Sequence, residues 1–282
     1  MRKSSHCVQI TPESLRSSNA RARDGDSGHC RLCGTVPNMP QKIVVLQSRT
    51  NAELLAREQR TYAELVPEAE WAFVSTLDER LSWQDPEAVV GSMDTVTIGG
   101  SGEFDFDGGR ATDDEARRTS HRLAQRLRPL VNYALDTALP TLGICFGHQL
   151  VAEIHGVSVV HDPEQANIGS EAVTLTEVGK LDVLLAEMPE TFVAQYGHKD
   201  SLSALPGGAT LLATGERCRY SALRYTPAFY TFQFHPELTA AEMVQRLSSS
   251  PGYLPDGGNP DQIVRASPEA SLLIPRFIEH FA

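Results

Sequence analysis

The sequence predicts a doubly wound α/β fold, with a mostly parallel sheet, helices on both faces and an antiparallel extension beside the sheet. Three observations carry the prediction. Short, nearly continuous apolar runs such as Ile43-Val44-Val45-Leu46 and Thr95-Val96-Thr97-Ile98 alternate with helical patterns through the first half of the chain. Beyond residue 170 that alternation gives way to closely spaced strand-like runs. With 282 residues, 41% hydrophobic and 22% charged, the chain is large enough to bury one substantial α/β core.

Residues 1–40 are rich in Ser, Arg, Asp and Gly and show no periodicity, so they are expected to form a flexible extension before a domain over 41–282. Cys30-Arg31-Leu32-Cys33 in that extension, with His29, His6 and Cys7 nearby, is half of a zinc-site spacing. No second CxxC follows, so no metal is assigned. The domain begins with the strand at 43–46. A helix follows at 51–65 with Leu54, Leu55 and Leu65 on its apolar stripe, then a strand at 71–75. The strand at 95–98 runs into Gly99-Gly100-Ser101-Gly102, and a charge-laced helix spans 113–138 before Pro140. A strand at 141–144 turns sharply at Cys145 into a helix at 147–155. Strands are expected at 170–176, 191–195, 209–214, 219–225 and 229–234, and a final amphipathic helix is expected to be capped by Ser267.

The formal net charge of −11 argues against a nucleic-acid surface, and no run approaches the roughly 20 apolar residues of a membrane span. The amino terminus has no secretory apolar region, and five irregularly spaced cysteines do not make a disulfide framework. A cytoplasmic protein with reduced thiols is expected.

Leu142-Gly143-Ile144-Cys145-Phe146-Gly147-His148-Gln149 places a cysteine between two glycines where an apolar strand meets a helix. This is the pattern of a nucleophile elbow. Glycines two residues either side let strand and helix approach closely while the thiol projects alone. The helix N-terminus favours thiolate over thiol, and the Phe146 N–H is positioned to donate to an oxyanion. A strand-end cysteine packed in a core is the plainer reading of the same residues. Thr231-Phe232-Gln233-Phe234-His235-Pro236-Glu237 supplies the complement, an apolar strand ending in a histidine and a carboxylate. The turn at Pro236 lets His235 point back toward Cys145 and lets Glu237 reach its far nitrogen, giving nucleophile, base and orienting acid.

GICFGHQ followed by QFHPE resembles the class I (triad-type) glutamine amidotransferase family, over residues 42–248 and the last helix. Within it the chain looks like the free-standing type similar to the amidotransferase domain of guanylate (GMP) synthase. The resemblance implies a flavodoxin-like fold and a cysteine thioester mechanism with Cys145, His235 and Glu237, without cofactor. It implies Gly100 as a second oxyanion donor with Phe146, and Gln149, Ser101, His198 and Asp200 as substrate contacts. Ser101 stands where relatives commonly carry proline. The substrate is glutamine or a γ-glutamyl compound. With no room within 282 residues for a synthase domain, ammonia from glutamine would go to a separate synthase partner. A γ-glutamyl peptide hydrolase, an idle regulatory protein without catalysis, and a cysteine hydrolase of the same core with its base elsewhere remain as alternatives. Segment 103–112, with Phe104 and Phe106, is expected to form a rim or lid beside the oxyanion loop.

Overall fold

The computed structural model describes residues 40–249, 254 and 258–282, together with the backbone of 7–9. The expectations for the rest of the extension, including the Cys30 and Cys33 pair, lie outside the described residues. Strand β1 (Cys7–Gln9) pairs in parallel with Trp71–Phe73 at the edge of the sheet, so these three residues depart from the expected flexible extension. The domain then runs β2 (Lys42–Gln47), α1 (Ala52–Leu65), β3 (Glu70–Ser75), α2 (Pro86–Val90), β4 (Thr95–Ile98), α3 (Glu115–Thr137), β5 (Thr141–Ile144) and α4 (Phe146–Ile154). The second half contributes β6 (Val159–His161), β7 (Asn167–Leu175), β8 (Thr191–His198), β9 (Asp200–Leu202), β10 (Thr210–Gly215), β11 (Ala222–Thr226) and β12 (Phe229–Phe232), closed by α5 (Ala240–Ser249), α6 (Pro260–Ile263) and α7 (Leu273–Phe281).

Among the described residues the main sheet has the order β1-β3-β2-β4-β5-β12-β11-β10-β7-β8, with β6 and β9 forming a separate pair. Strands β3, β2, β4, β5 and β12 are mutually parallel, which is the 2-1-3-4-5 order of a flavodoxin-like sheet. Strands β11, β10, β7 and β8 extend it antiparallel. The fold class predicted from sequence is the one observed. Phe229–Phe232, grouped by its spacing with the added strands, is instead the fifth parallel strand, pairing Tyr230 with Leu142.

Side-chain alternation divides the core between the two faces of the sheet. Ile43, Val45, Phe73, Leu142 and Ile144 face α7 through Leu273, Ile274 and Phe277, with Tyr62 of α1 on the same side. Val44, Leu46, Val74, Val96 and Ile98 pack under α3 and α4 through Leu123, Leu127, Val131, Phe146 and Leu150. Helix starts are set locally. Asn51 Oδ1 accepts from the Glu53 and Leu54 amides at 2.9 and 3.1 Å, and Asp114 Oδ1 accepts from the Ala116 amide at 2.9 Å.

Two local expectations, the Ser267 cap and the lid at 103–112, are corrected. Ser267 does not cap the last helix: its hydroxyl accepts from Gln195 Nε2 at 2.9 Å, and a 3-10 turn at Ala270–Leu272 leads into α7. Gly197 to Asp200 is largely strand, with β8 continuing to His198 opposite Asn167 and β9 beginning at Asp200. Phe106 is not a lid residue; it is buried and stacked on Phe146 with ring centroids 5.4 Å apart, while Phe104 packs half-buried against the same cluster. No helix among the described residues is long and apolar enough to cross a membrane.

Candidate active site

In an open parallel sheet, the polar surface lies off the carboxyl ends of the strands, at the point where strand order reverses. Here that edge carries Arg49 beyond β2, Gly99 and Gly100 beyond β4, Cys145 beyond β5 and His235 beyond β12.

Cys145 is the turn between β5 and α4, at φ 51° and ψ −98°. Its amide donates to the Phe232 carbonyl at 2.7 Å and its carbonyl accepts the first helical bond from the Gln149 amide at 3.1 Å. The Phe146 N–H is therefore among the amides that the first turn of α4 leaves without an intrahelical partner. Both flanking glycines are sterically required. A Cβ on Gly147 would lie 2.1 Å from the Ile98 carbonyl oxygen, and one on Gly143 would lie 2.8 Å from Thr231 Cγ2 and 3.1 Å from the Gly147 backbone.

His235 follows Phe234, which sits in an aromatic cluster with Phe192, Tyr196 and Phe232, and its amide donates to the Gln195 carbonyl at 2.8 Å. The imidazole is fully buried and its Nδ1 is 2.7 Å from Glu237 Oε1. Burial pushes His235 toward the neutral form, yet the Glu237 carboxylate and then Cys145 outweigh it and lift the pKa to about 9. Burial likewise opposes ionisation of Glu237, but the His235 charge and hydrogen bond hold that carboxyl below its ordinary value. His235 Nε2 has no hydrogen-bond partner within the protein.

Gly100 lies against both groups: a Cβ there would be 3.1 Å from His235 Cε1 and 3.6 Å from Cys145 Cβ. The structure thus brings Cys145, Phe146, Gly100, His235 and Glu237 to one point. Ser101 Oγ accepts from the Glu103 and Phe104 amides, each at 3.2 Å, and so shapes the loop next to that point. The Glu103 carboxylate in turn accepts from the Thr50 amide at 2.9 Å, joining this loop to the start of α1.

The remaining substrate-contact candidates are buried and linked to one another through Asp200. Gln149 Nε2 donates to the Asp200 carbonyl at 2.8 Å and to Gln233 Oε1 at 3.2 Å. His198 Nδ1 is 2.9 Å from the same carbonyl. The Asp200 carboxylate accepts from the Asp107 and Gly108 amides at 2.8 and 2.6 Å, so its role in this structure is to anchor segment 103–112. Burial raises the pKa of Asp200 and lowers those of His148 and His198, to about 3 and about 4, keeping both imidazoles neutral around neutral pH.

Cys218 is the contrasting described thiol, buried and pushed up to about 12 by desolvation, which makes it inert. Arg49, a charge at the end of an otherwise apolar strand, is one residue that motif reading passes over. Among the described residues no cluster of His, Cys, Asp and Glu forms a metal site.

A family model, class-I glutamine amidotransferase, matches residues 117–249, a span that includes Cys145, His235 and Glu237. One of the subunits of glutamine-hydrolyzing GMP synthase from Methanocaldococcus jannaschii is 34% identical over 119 residues, covering 42% of this chain and 61% of that protein. Its namesake from Methanopyrus kandleri is 36% identical over 111 residues, covering 38% and 57%. The chain therefore spans about three fifths of the length of these relatives. A glutamine amidotransferase structure from Thermotoga maritima superimposes with TM-score 0.62 at 19% identity, over 85% of this chain and 96% of that one. One from Methylobacillus flagellatus gives 0.55 at 19% identity, over 86% and 96%. These two establish likeness of fold.

Proposed function

We propose that the chain, whose residues 117–249 match the class-I glutamine amidotransferase family model, hydrolyses the side-chain amide of glutamine through a thioester on Cys145. The observation that supports this best is the convergence of a helix-terminal thiol, a buried His235–Glu237 pair at 2.7 Å and the Gly100 backbone against both. In the proposed reaction the Cys145 thiolate attacks the amide carbon. The oxyanion is met by backbone N–H groups at Phe146 and the Gly100 loop, with Ser101 setting that loop's shape. The C–N bond breaks as the His235 imidazolium gives its proton to departing ammonia. The neutral imidazole then takes a proton from water, which opens the thioester and releases glutamate. Glu237 holds the imidazole and stabilises its charged form.

On this reading Gln149, His198 and Asp200 act through the pocket wall they build, and residues 41–282 form the enzymatic domain, with Cys7–Gln9 of the preceding segment adding an edge strand. The M. jannaschii relative bears the name of one part of a synthase made of more than one chain, which favours a separate ammonia-accepting partner here too. The direct experiment is ammonia release from glutamine by the full chain, with Cys145→Ala as control. Release lowered by the substitution on the order of 10⁴-fold or more is expected. Turnover of a γ-glutamyl dipeptide in clear preference to glutamine would overturn the choice of substrate while leaving the cysteine chemistry intact.

A further inference from the structure

We infer that Arg49 is a positioning residue for this site, the buried counter-ion of the Glu237 oxygen that faces away from His235. The proposal rests on the assignment of Cys145, His235 and Glu237 above. Arg49 follows β2 at the switch point of the sheet and is only 6% exposed. Its Nη2 reaches Glu58 Oε1 at 3.2 Å, and Glu58 is fixed by Gln47 Nε2 on its other oxygen at 2.7 Å. Glu58 also lies under the oxyanion loop, 3.2 Å from where a Cβ on Gly99 would stand. The guanidinium is therefore held at one end and has a donor to spare, since Nε makes no hydrogen bond within the protein.

Glu237 presents the complement. Oε1 is engaged by His235, whereas Oε2 is buried without a protein partner. Arg49 and Glu237 line the same cavity of about 30 Å³, shared with Thr61, Glu58, Arg57, Glu242 and Arg246. That space suits a single bridging water between an N–H donor and a carboxylate oxygen. The electrostatics agree with the geometry, for Arg49 is coupled to the charges of Glu237 and Cys145 as well as Glu58. After His235 the cation that bears most on Glu237 is Arg246, and Arg49 and the buried Tyr62 hydroxyl sense the same carboxylate. A fully buried carboxylate is costly to ionise even with His235, a backbone amide and Arg246 acting on it, and a further fixed cation beside it offsets part of that cost.

The test uses the full chain with Arg49→Gln and, as a second neutral variant, Arg49→Met. The readouts are the pH dependence of Cys145 alkylation by iodoacetamide, with labelling located against Cys218, and the kcat and KM for glutamine. Without the cation, Glu237 takes up its proton at higher pH and the charged pair of His235 and sulfur is lost with it. The acid limb of alkylation should move up by about one pH unit. The kcat should fall roughly tenfold with KM within about twofold. Arg49→Lys, which keeps the charge, should leave the limb near its original place. A limb unmoved in both neutral variants, or a Lys variant shifted as far as Gln, would overturn the proposal. If the wild-type chain turned over neither glutamine nor a γ-glutamyl dipeptide, the proposed function would fail, while alkylation would still decide the role of Arg49.

Discussion

Strands β2, β4 and β5 bury nearly every side chain on both faces, whereas β7, in the other half of the same sheet, alternates buried with half-buried residues along most of its nine positions. Buried on both sides, the parallel strands leave polar groups room only beyond their ends, and Arg49, Gly100, Cys145 and His235 all stand there. The extension accommodates polar groups along its length, as in the Tyr196–Ser221 hydrogen bond at 2.8 Å and the Gln195 side chain bonded to Ser267. It also braces the site, since the Gln195 carbonyl fixes the backbone of His235. The proposed chemistry is thus concentrated at the termini of one half and supported by the interior of the other.

The sharpest test of that division is Glu237→Gln, which keeps the shape of the strand end but removes its charge. The expected loss in kcat for glutamine hydrolysis is on the order of 10³, with KM little changed, in steady-state ammonia release. A loss under tenfold would mean that the braced backbone alone orients His235.

Backbone tolerance should separate the strand-to-helix junction at the site from an open turn. Gly147→Ala forces a Cβ to 2.1 Å from a carbonyl oxygen and should cost roughly 3 kcal/mol in urea unfolding. Gly207→Ala, between β9 and β10 with no atom within 4 Å of the added carbon, should stay within about 0.5 kcal/mol.

Stability against pH separates the imidazoles by sign. His148 and His198, pushed down to about 3 and about 4, bind protons only on unfolding. Their contribution is complete above an unfolded pKa of about 6.5 and is lost as pH falls, by roughly 2 kcal/mol between pH 7 and 5.5. His235, raised to about 9, contributes in the opposite sense: fully below pH of about 6.5, fading as pH rises through 9. Urea midpoints that rose on acidification from pH 7 to 5.5 would contradict the buried, neutral state of the first two.

The parallel half was legible in the sequence because period and composition agree there: Ile43 to Leu46 and Thr95 to Ile98 cannot be solvated, and two glycines around a cysteine leave few conformations. The site residues joined by a motif, Cys145 with His235 and Glu237, come together for the same reason. Less was legible where one side chain answers to a distant one. The cap expected from Ser267 fails because Gln195 claims its hydroxyl, across 72 residues of chain. Asp200 carries no local sign that its carboxylate would hold the amides of residues 107 and 108, and β9 is only three residues long. Phe106 sits among acids and glycines and reads as a surface loop until Phe146 is folded beneath it. Arg49 belongs to this second group, its meaning depending on Glu58 and Glu237.

The backbone at Cys145 sits at positive φ, a setting that any residue with a Cβ occupies at a cost of about 1–3 kcal/mol. Glycine there would relieve the cost and delete the thiol in one change. A search of variants for thermal robustness alone would therefore favour glycine at position 145 and select against the proposed reaction, so on that reading the molecule sits below the stability its own fold allows as a condition of keeping its thiol.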